Sequence, residues 1–434
     1  MEIGLTNCYI AIGSNMEPRQ QYFNQALGLL KKTCAVTSSI KIAPIYQTPA
    51  VLPTNAPDQW NQPYLNTVLK LCTKLSAQEL ILQIKNIEAK LGRDLNLKWG
   101  PRPIDLDILF FGDSIVESEQ LSIPHPRLLE RDFVLKPLLD ILNPNDIPEN
   151  YAREIKRKSK SVRLPAWMHI LNLSPDSFSD GQDFNPNHCI EQLCYIQKHT
   201  IQYFDIGAAS TRPNAAIVSP QQEIERIKPF LELWNSHFSS QLLKPRLSLD
   251  TMHAKVVHHV FEQTSLHTIN DVSGLKDPEM PNLLQQNNCD YILMHSLNAP
   301  VDPNNVIAED ICPVVFLKQW LDQKLTLLDQ HNIDILRVIF DPGIGFGKTA
   351  NQSLKILQNL DQFNDIPCRL LIGHSRKSFM KLFSAADAFE RDYESVGISV
   401  ALSQHPVDIF RVHQAPKHQR AWLASQHTKI QHIT

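Results

Sequence analysis

Eight short runs rich in β-branched and aromatic residues, WMHILNL, QYFDIGA, RLSLD, HTIND, YILMHS, RVIFD, CRLLIGHS and DIFRVH, alternate with stretches of helical period across residues 167–413. Alternation of this kind builds parallel βαβ units, and eight of them in about 260 residues is the count and size of a closed TIM (β/α)8 barrel. Each run carries a polar side chain at or near its C-terminal end: Asn172, Asp205, Asp250, Asn270, His295, Asp341, Ser375 and His413. Strand ends form the rim where barrels place their chemistry, and polar groups at all eight exceed what capping needs.

A chain of 434 residues is too long for one such core. Before the barrel the pattern reads strand (CYIAIGSN), helix (19–34), strand (36–46), strand (YLNTVLKLC), helix (76–91) and strand (IDLDILFFG). That β-α-β-β-α-β order predicts a ferredoxin-like α+β domain, an antiparallel sheet with helices on one side. A helical stretch, LLERDFVLKPLLDIL, follows. Three prolines and the basic run Arg153, Lys156, Arg157, Lys158, Lys160 and Arg163 then mark a seam, so the expected layout is a domain over 1–145, a solvated linker over 146–165 and the barrel over 166–434.

Asp105 and Asp107 stand two apart in the apolar run of the first domain. On a strand they share a face, with Cα atoms roughly 6.6–7 Å apart, while Ile104, Leu106 and Ile108 fill the other. Neighbouring carboxylates repel, and their burial is costly unless a cation lies between them. Arg93, Lys98, Trp99, Arg102, His125, Arg127 and Arg131 surround them in sequence. Carboxylates holding Mg²⁺ beside guanidinium groups suit phosphoryl or pyrophosphoryl transfer.

In the barrel, DPGIGFGKT has the look of a Walker A loop but lacks a glycine at Pro342, so no phosphate cradle of that type is expected. Asp250, Asn270 and Asp341 can instead read the edge of a planar polar heterocycle, with Phe346 and Met294 over its faces. Arg411 and His413, two apart on one strand, form a basic pair suited to a diphosphate. A net charge of −3 disfavours nucleic acid as a partner, and a role of that kind for residues 153–163 ranks last. No basic-then-apolar leader or long apolar run points to secretion or a membrane, and eight cysteines without a C-x-x-C pair read as reduced thiols of a cytoplasmic protein.

The motifs IAIGSN, QPYLN, IEAKLGR, KWGPRPIDLDIL and IPHPRLLERDFVL, in this order across 8–143, closely resemble 6-hydroxymethyl-7,8-dihydropterin pyrophosphokinase. The resemblance implies that Asp105 and Asp107 hold two Mg²⁺ ions bridging ATP and the pterin hydroxymethyl group. It implies pterin contacts from Thr48, Pro49, Tyr64 and Asn66 and stacking by Phe133. Glu88, Arg93, Lys98, Trp99, Arg102, His125 and Arg131 would belong to the ATP side. Leu95 and Lys98 stand where similar enzymes carry arginine, which weakens the phosphate clamp because lysine offers only a point charge.

The motifs ILNLSPDSFSDG, FDIGAASTRP, LSLDT, INDVSG, DPGIGFGKT, IGHSRKSF and RVH, across 167–413, resemble dihydropteroate synthase, which joins the activated pterin to the amine of 4-aminobenzoate with loss of diphosphate. By this resemblance Asn172 ligates Mg²⁺ on the diphosphate, while Asp250, Asn270, Asp341 and Lys377 hold the pterin. Thr211, Arg212, Pro213 and Ser375 shape the aminobenzoate and diphosphate pocket, and similar barrels form homodimers. His169, Ala208, Ala209 and Gln414 depart from the usual pattern, with Ala209 in place of a glutamate. The expectation is thus a bifunctional enzyme of folate biosynthesis; the alternative keeps the kinase and makes the barrel a non-catalytic pterin-binding domain.

Overall fold

In the computed structural model, residues 4–37, 39–94, 99–173, 185–209, 217–239, 241–388 and 390–428 are described. They form two compact units, one spanning Pro165–Trp422 and the other Met1–Leu164 with the stretch from Leu423 onward.

The first unit runs β1 (Thr6–Ser14), α1 (Arg19–Thr33), β2 (Lys41–Ile42), β3 (Tyr46–Thr48), β4 (Tyr64–Thr73), α2 (Ala77–Lys90), β5 (Asp105–Phe111), β6 (Val116–Glu117), β7 (Ser122–Ile123), α3 (Asp132–Leu139) and α4 (Glu149–Ser159). Its sheet has the order β2-β4-β1-β5, with β3 also paired to β4 and all pairings antiparallel. This is the order expected of the ferredoxin-like arrangement. The single strand expected over 36–46 is two short edge strands, because Pro44 between them has no N–H to give the ladder.

Helices cover both faces of this sheet, which corrects the one-sided expectation. One face packs on Phe23, Leu27, Leu30, Leu80 and Ile84 of α1 and α2. The other side has its own core, in which Tyr9, Val68 and Phe110 meet Leu135 and Leu138 of α3 and Ile155 of α4. The stretch expected as a solvated linker is therefore a folded part of the first unit. Arg153, Lys156, Arg157 and Lys158 lie on an amphipathic helix whose Ile155 is buried, and Lys160 and Arg163 follow its end.

The second unit contains β8 (Ala166–Asn172), α5 (Pro186–Lys198), β9 (Tyr203–Gly207), α6 (Pro220–Phe238), β10 (Arg246–Asp250), α7 (Ala254–Gln263), β11 (Thr268–Asp271), α8 (Met280–Gln286), β12 (Asp290–Met294), α9 (Pro313–Gln330), β13 (Val338–Asp341), α10 (Ala350–Gln358), β14 (Arg369–Ile372), α11 (Asp392–Leu402) and β15 (Ile409–Val412), and α12 (Ala415–His427) begins in it. The eight strands close into a parallel barrel, β15 pairing with β8. All eight expected runs are strands. The S-x-x-Q and T-x-x-Q signals at Ser219 and Thr349 start α6 and α10 with reciprocal capping boxes.

Candidate functional site

Two clusters of chemistry-bearing residues emerge, one in each unit. In the first, strand alternation puts Asp105 and Asp107 on one partly exposed face of β5 while Leu106 and Ile108 are buried, as expected. Register then sets what lies beside them: Gly13 of β1 pairs with Asp105 on one side and with Asn66 of β4 on the other, and Thr48 of β3 pairs with Tyr64. A Cβ at Gly13 would come within 3.2 Å of Asn66 Oδ1, 3.7 Å of the Tyr64 ring and 3.9 Å of Asp105 Cβ. The glycine thus keeps a slot open between the acid and the polar pair. Asn66 Nδ2 donates to Thr48 Oγ1 at 2.8 Å, so Thr48, Tyr64 and Asn66 form one wall, with Pro49 half-buried after β3. Gly13 had no assigned role in the sequence; a glycine ending an apolar strand was the available signal.

Arg93 and Arg102 reach Asp105 at 2.6 and 3.3 Å, and His125 Nε2 lies 3.9 Å from Asp107. Burial first, and Asp105 second, push the Asp107 carboxyl above its ordinary range. Burial likewise lowers His125, against the pull of Asp107. An anion destabilised by a second anion is the electrostatic condition that a divalent cation relieves. Two carboxylates with nucleotide oxygens suffice for Mg²⁺, which keeps several waters and needs no all-protein cage. Among the described residues no group of three or more His, Cys, Asp or Glu forms such a cage.

Glu88 departs from its expected place on the ATP side. Its side chain is 0 % exposed and is used up by Arg93, by Lys85 at 2.9 Å and by the Leu106 backbone N–H at 2.8 Å. It ties α2 to the acid-bearing strand and aims Arg93, so its work is structural support. Phe133 packs against the core under α3, with the Arg131 guanidinium 5.7 Å from its ring, and Trp99 is half-exposed. Lys98 lies outside the described residues.

In the barrel, register aligns Asn172, Gly207, Asp250 and Asn270 on successive rungs at the C-terminal rim. Asn172, Asp250 and Asn270, with Asp341, Met294, Phe346, Ser375, Lys377, Arg411 and His413, line one cavity of about 690 Å³. Thr211, Arg212 and Pro213 lie outside the described residues. The cavity's charges are tightly wired. Arg411 donates through Nε to Asp205 at 2.7 Å and through Nη2 to Asp250 at 2.6 Å, and Asn270 Nδ2 donates to Asp205 at 3.1 Å. Burial raises the Asp250 and Asp341 carboxyls and lowers Lys377 to about 8, Asp341 opposing that fall.

Two expectations change here. The basic pair is one cation and one neutral ring: burial, then Arg376 and Arg411, hold His413 well below its usual value, and its Nδ1 sits 3.1 Å from the Ser375 hydroxyl. Met294 and Phe346, expected on opposite faces of a ring, belong to one apolar cluster with Val272, and Lys377 Nζ lies 4.1 Å from the Phe346 ring centroid.

The loop after Asp341 is bent for packing. A Cβ on Gly343, at φ +64°, would fall 1.9 Å from the His295 carbonyl oxygen. Lys348, the lysine that made the loop look like a nucleotide cradle, is buried and donates to His295 Nδ1 at 2.8 Å, Gly343 O at 3.0 Å and Phe346 O at 2.8 Å. Sequence reasoning missed this tie; a lysine in an otherwise apolar, glycine-rich loop was its only signal.

Comparison with known proteins covers both clusters. Residues 9–143 match the family model for 7,8-dihydro-6-hydroxymethylpterin-pyrophosphokinase, and residues 168–413 match that for pterin binding enzymes. The chain is 33 % identical to the folate synthesis bifunctional protein of Chlamydia trachomatis over 96 % of this chain and 97 % of that one. It is 31 % identical to a mitochondrial folate synthesis bifunctional protein of Arabidopsis thaliana, over 93 % of this chain and 80 % of the relative. Among solved structures, dihydropteroate synthase of Yersinia pestis with a sulfonamide drug complex superposes with a TM-score of 0.55 at 28 % identity, covering 61 % of this chain and 94 % of that one. The synthase of Anaplasma phagocytophilum with bound 6-hydroxymethylpterin-monophosphate gives 0.54 at 26 % identity, covering 60 % of this chain and 98 % of the other.

Proposed function

The chain belongs to the bifunctional folate-synthesis family, uniting a 6-hydroxymethyl-7,8-dihydropterin pyrophosphokinase with a dihydropteroate synthase, and on that premise we propose how its own residues divide the two reactions. It is a bifunctional transferase of folate biosynthesis. The alternative of a non-catalytic barrel is set aside, because relatives matched across both units are bifunctional folate-synthesis proteins and the barrel matches dihydropteroate synthases.

In the first reaction the pterin hydroxymethyl oxygen takes the terminal diphosphoryl group of ATP and AMP leaves. Asp105 and Asp107 would hold Mg²⁺, which would supply charge neutralisation for the phosphate oxygens. Thr48, Tyr64 and Asn66 hold the pterin in the slot above Gly13, with Pro49 and Phe133 at its margin. Arg93, Arg102, His125 and Arg131 face the triphosphate with Trp99 beside them, and Lys98 is assigned to the same substrate. Arg93 is kept on station by Glu88.

In the second reaction a C–N bond forms from the 4-aminobenzoate amine to the pterin methylene as its C–O bond to diphosphate breaks. Asp250, Asn270, Asp341 and Lys377 read the pterin against the Met294 and Phe346 wall. Arg411 accepts the charge of the leaving diphosphate, His413 and Ser375 complete that end as neutral donors and acceptors, and Asn172 would hold its Mg²⁺. Thr211, Arg212 and Pro213 are assigned to the aminobenzoate side. The observation that carries the barrel assignment is the convergence of Asp250, Asn270, Asp341, Lys377 and Arg411 on one cavity. A coupled assay with each component omitted in turn tests the whole reading: pterin, ATP, Mg²⁺ and 4-aminobenzoate together yield dihydropteroate and AMP, and product made without ATP would refute it.

We assign the working form as a homodimer through the barrel, supported by exposed Leu382, Phe383 and Tyr393, which the Ser384–Glu394 hydrogen bond gathers. Light scattering of the purified chain tests this. Eight unbonded cysteines favour a reducing, cytoplasmic setting, and no helix among the described residues is long and apolar enough to cross a membrane.

A further inference from the structure

We propose that Asp205 is a positioning residue: the fixed pivot on which Arg411 turns from Asp250 to the diphosphate once the pterin ring arrives. This rests on the assignment of the cavity to pterin diphosphate. The two acids that hold Arg411 are not equivalent. Asp205 is 0 % exposed and grips Nε, the nitrogen nearest the side-chain stem, at 2.7 Å. Asp250 lines the cavity and grips a terminal nitrogen, Nη2, at 2.6 Å.

A ligand in the cavity can reach Asp250, and the same Oδ2 that receives Nη2 is among the acceptors a ring N–H would seek. Ring binding therefore competes with Arg411 for Asp250, and leaves Asp205 untouched. The arginine loses one bond and keeps the other, so its freed terminal nitrogen stays at the rim where the diphosphate lies. The same Asp205 oxygen accepts from Asn270 Nδ2 at 3.1 Å, which couples the pivot to a second ring-reading group. Asp205 Oδ1 is buried with no hydrogen-bond partner among the described residues, so there the anion is compensated through its other oxygen. An asparagine at this position would keep one acceptor and lose the charge that retains the guanidinium.

Two measurements on the full chain test this. In the barrel reaction alone, supplied with pterin diphosphate and 4-aminobenzoate, Asp205→Asn lowers kcat/KM for pterin diphosphate by about thirtyfold and leaves the aminobenzoate KM unmoved. Introduced on top of Arg411→Ala it costs less than about threefold more, because residues acting through one another are not additive. Multiplying losses would make Asp205 a general structural residue and overturn the pivot.

The second measurement is calorimetric, in a chain carrying Asp107→Ala and Asn66→Ala, which together remove the first unit's acid pair and its pterin wall. Mg²⁺-pyrophosphate binds about tenfold tighter when 6-hydroxymethylpterin is already present, and Asp205→Asn reduces that factor to below about three. If both ligands bind but independently, the pivot fails while the functional assignment stands. If neither binds, the assignment fails and the pivot with it.

Discussion

The two sites pair acids with arginine in opposite ways. In the first unit the acids are neighbours on one strand, their shared face is partly open, and the cations reach them from Arg93 and from Arg102 three residues away. In the barrel the acids come from separate strands, sit deep at the rim, and are joined by Arg411, which is 206 residues from Asp205 and 161 from Asp250. Both arginines of the open pair fall on Asp105, which leaves Asp107 facing His125 at 3.9 Å and available to the proposed Mg²⁺. In the closed set one arginine is shared by two acids, so substrate that takes Asp250 must exchange with a protein contact. The lesson is that an acid pair set by strand alternation can be short-range and partly solvated, whereas acids joined by a distant arginine need barrel closure to hold them.

The largest expected effect separates the two sites outright. Asp107→Ala removes half of the acid pair proposed to hold Mg²⁺ and lowers AMP formation by about a thousandfold or more, while dihydropteroate formation from supplied pterin diphosphate is unchanged. Surviving kinase activity in a discontinuous AMP assay would break the comparison. Arg411→Ala is the reciprocal case, costing the second reaction about a hundredfold through lost stabilisation of the leaving group and leaving the first intact. Equal losses in both reactions would mean the units do not act separately.

Glu88→Gln sharpens the claim that Glu88 supports the site without touching ATP. It leaves Arg93 and Lys85 short of a charge partner and destabilises the first unit by about 1–3 kcal/mol. The AMP-forming kcat/KM falls about tenfold, with kcat affected more than the KM for ATP; denaturant melts and initial rates give both numbers.

The smallest effect concerns His169, buried in the barrel, stacked on Phe204 and accepting from the Ala415 N–H at 3.4 Å. Burial pulls it from 6.5 to about 4. Between those values the unfolded chain binds the proton and the folded barrel does not, so stability rises with pH across the window and is lost on acidification. His169→Gln removes this dependence. The stability difference between pH 7 and pH 4.5 shrinks by about 2 kcal/mol relative to the unsubstituted chain, measured by urea melts at the two pH values. An unchanged difference would show that the imidazole is protonated in the fold.

How much was legible in advance follows the same division. The acid pair of β5 needed only the period of two, and the eight barrel strands needed only their alternation with helical stretches. The basic stretch at 153–163 misled because charge is exposed in a linker and on the outside of a helix alike; the apolar residues that distinguish them, buried Ile155 with Tyr151, Ala152 and Val162, are sparse among the charges. Glu88 misled because a carboxylate inside IEAKLGR looks the same whether it faces nucleotide or a buried arginine. His413 misled because its charge depends on burial and on cations from Arg376 and Arg411, which sequence does not place.

Sequence alone thus determined the eight barrel strands and their order, the facing of Asp105 and Asp107, and the rim position of Asn172, Asp250, Asn270 and Asp341, since backbone geometry repeats over a few residues regardless of context. Tertiary structure alone decided that Glu88 serves Arg93, that Lys348 locks the loop beside Asp341, and that Asp205 and Asp250 share one arginine. Those outcomes depend on sheet register and barrel closure, which bring together groups far apart in the chain and set how much water each one keeps.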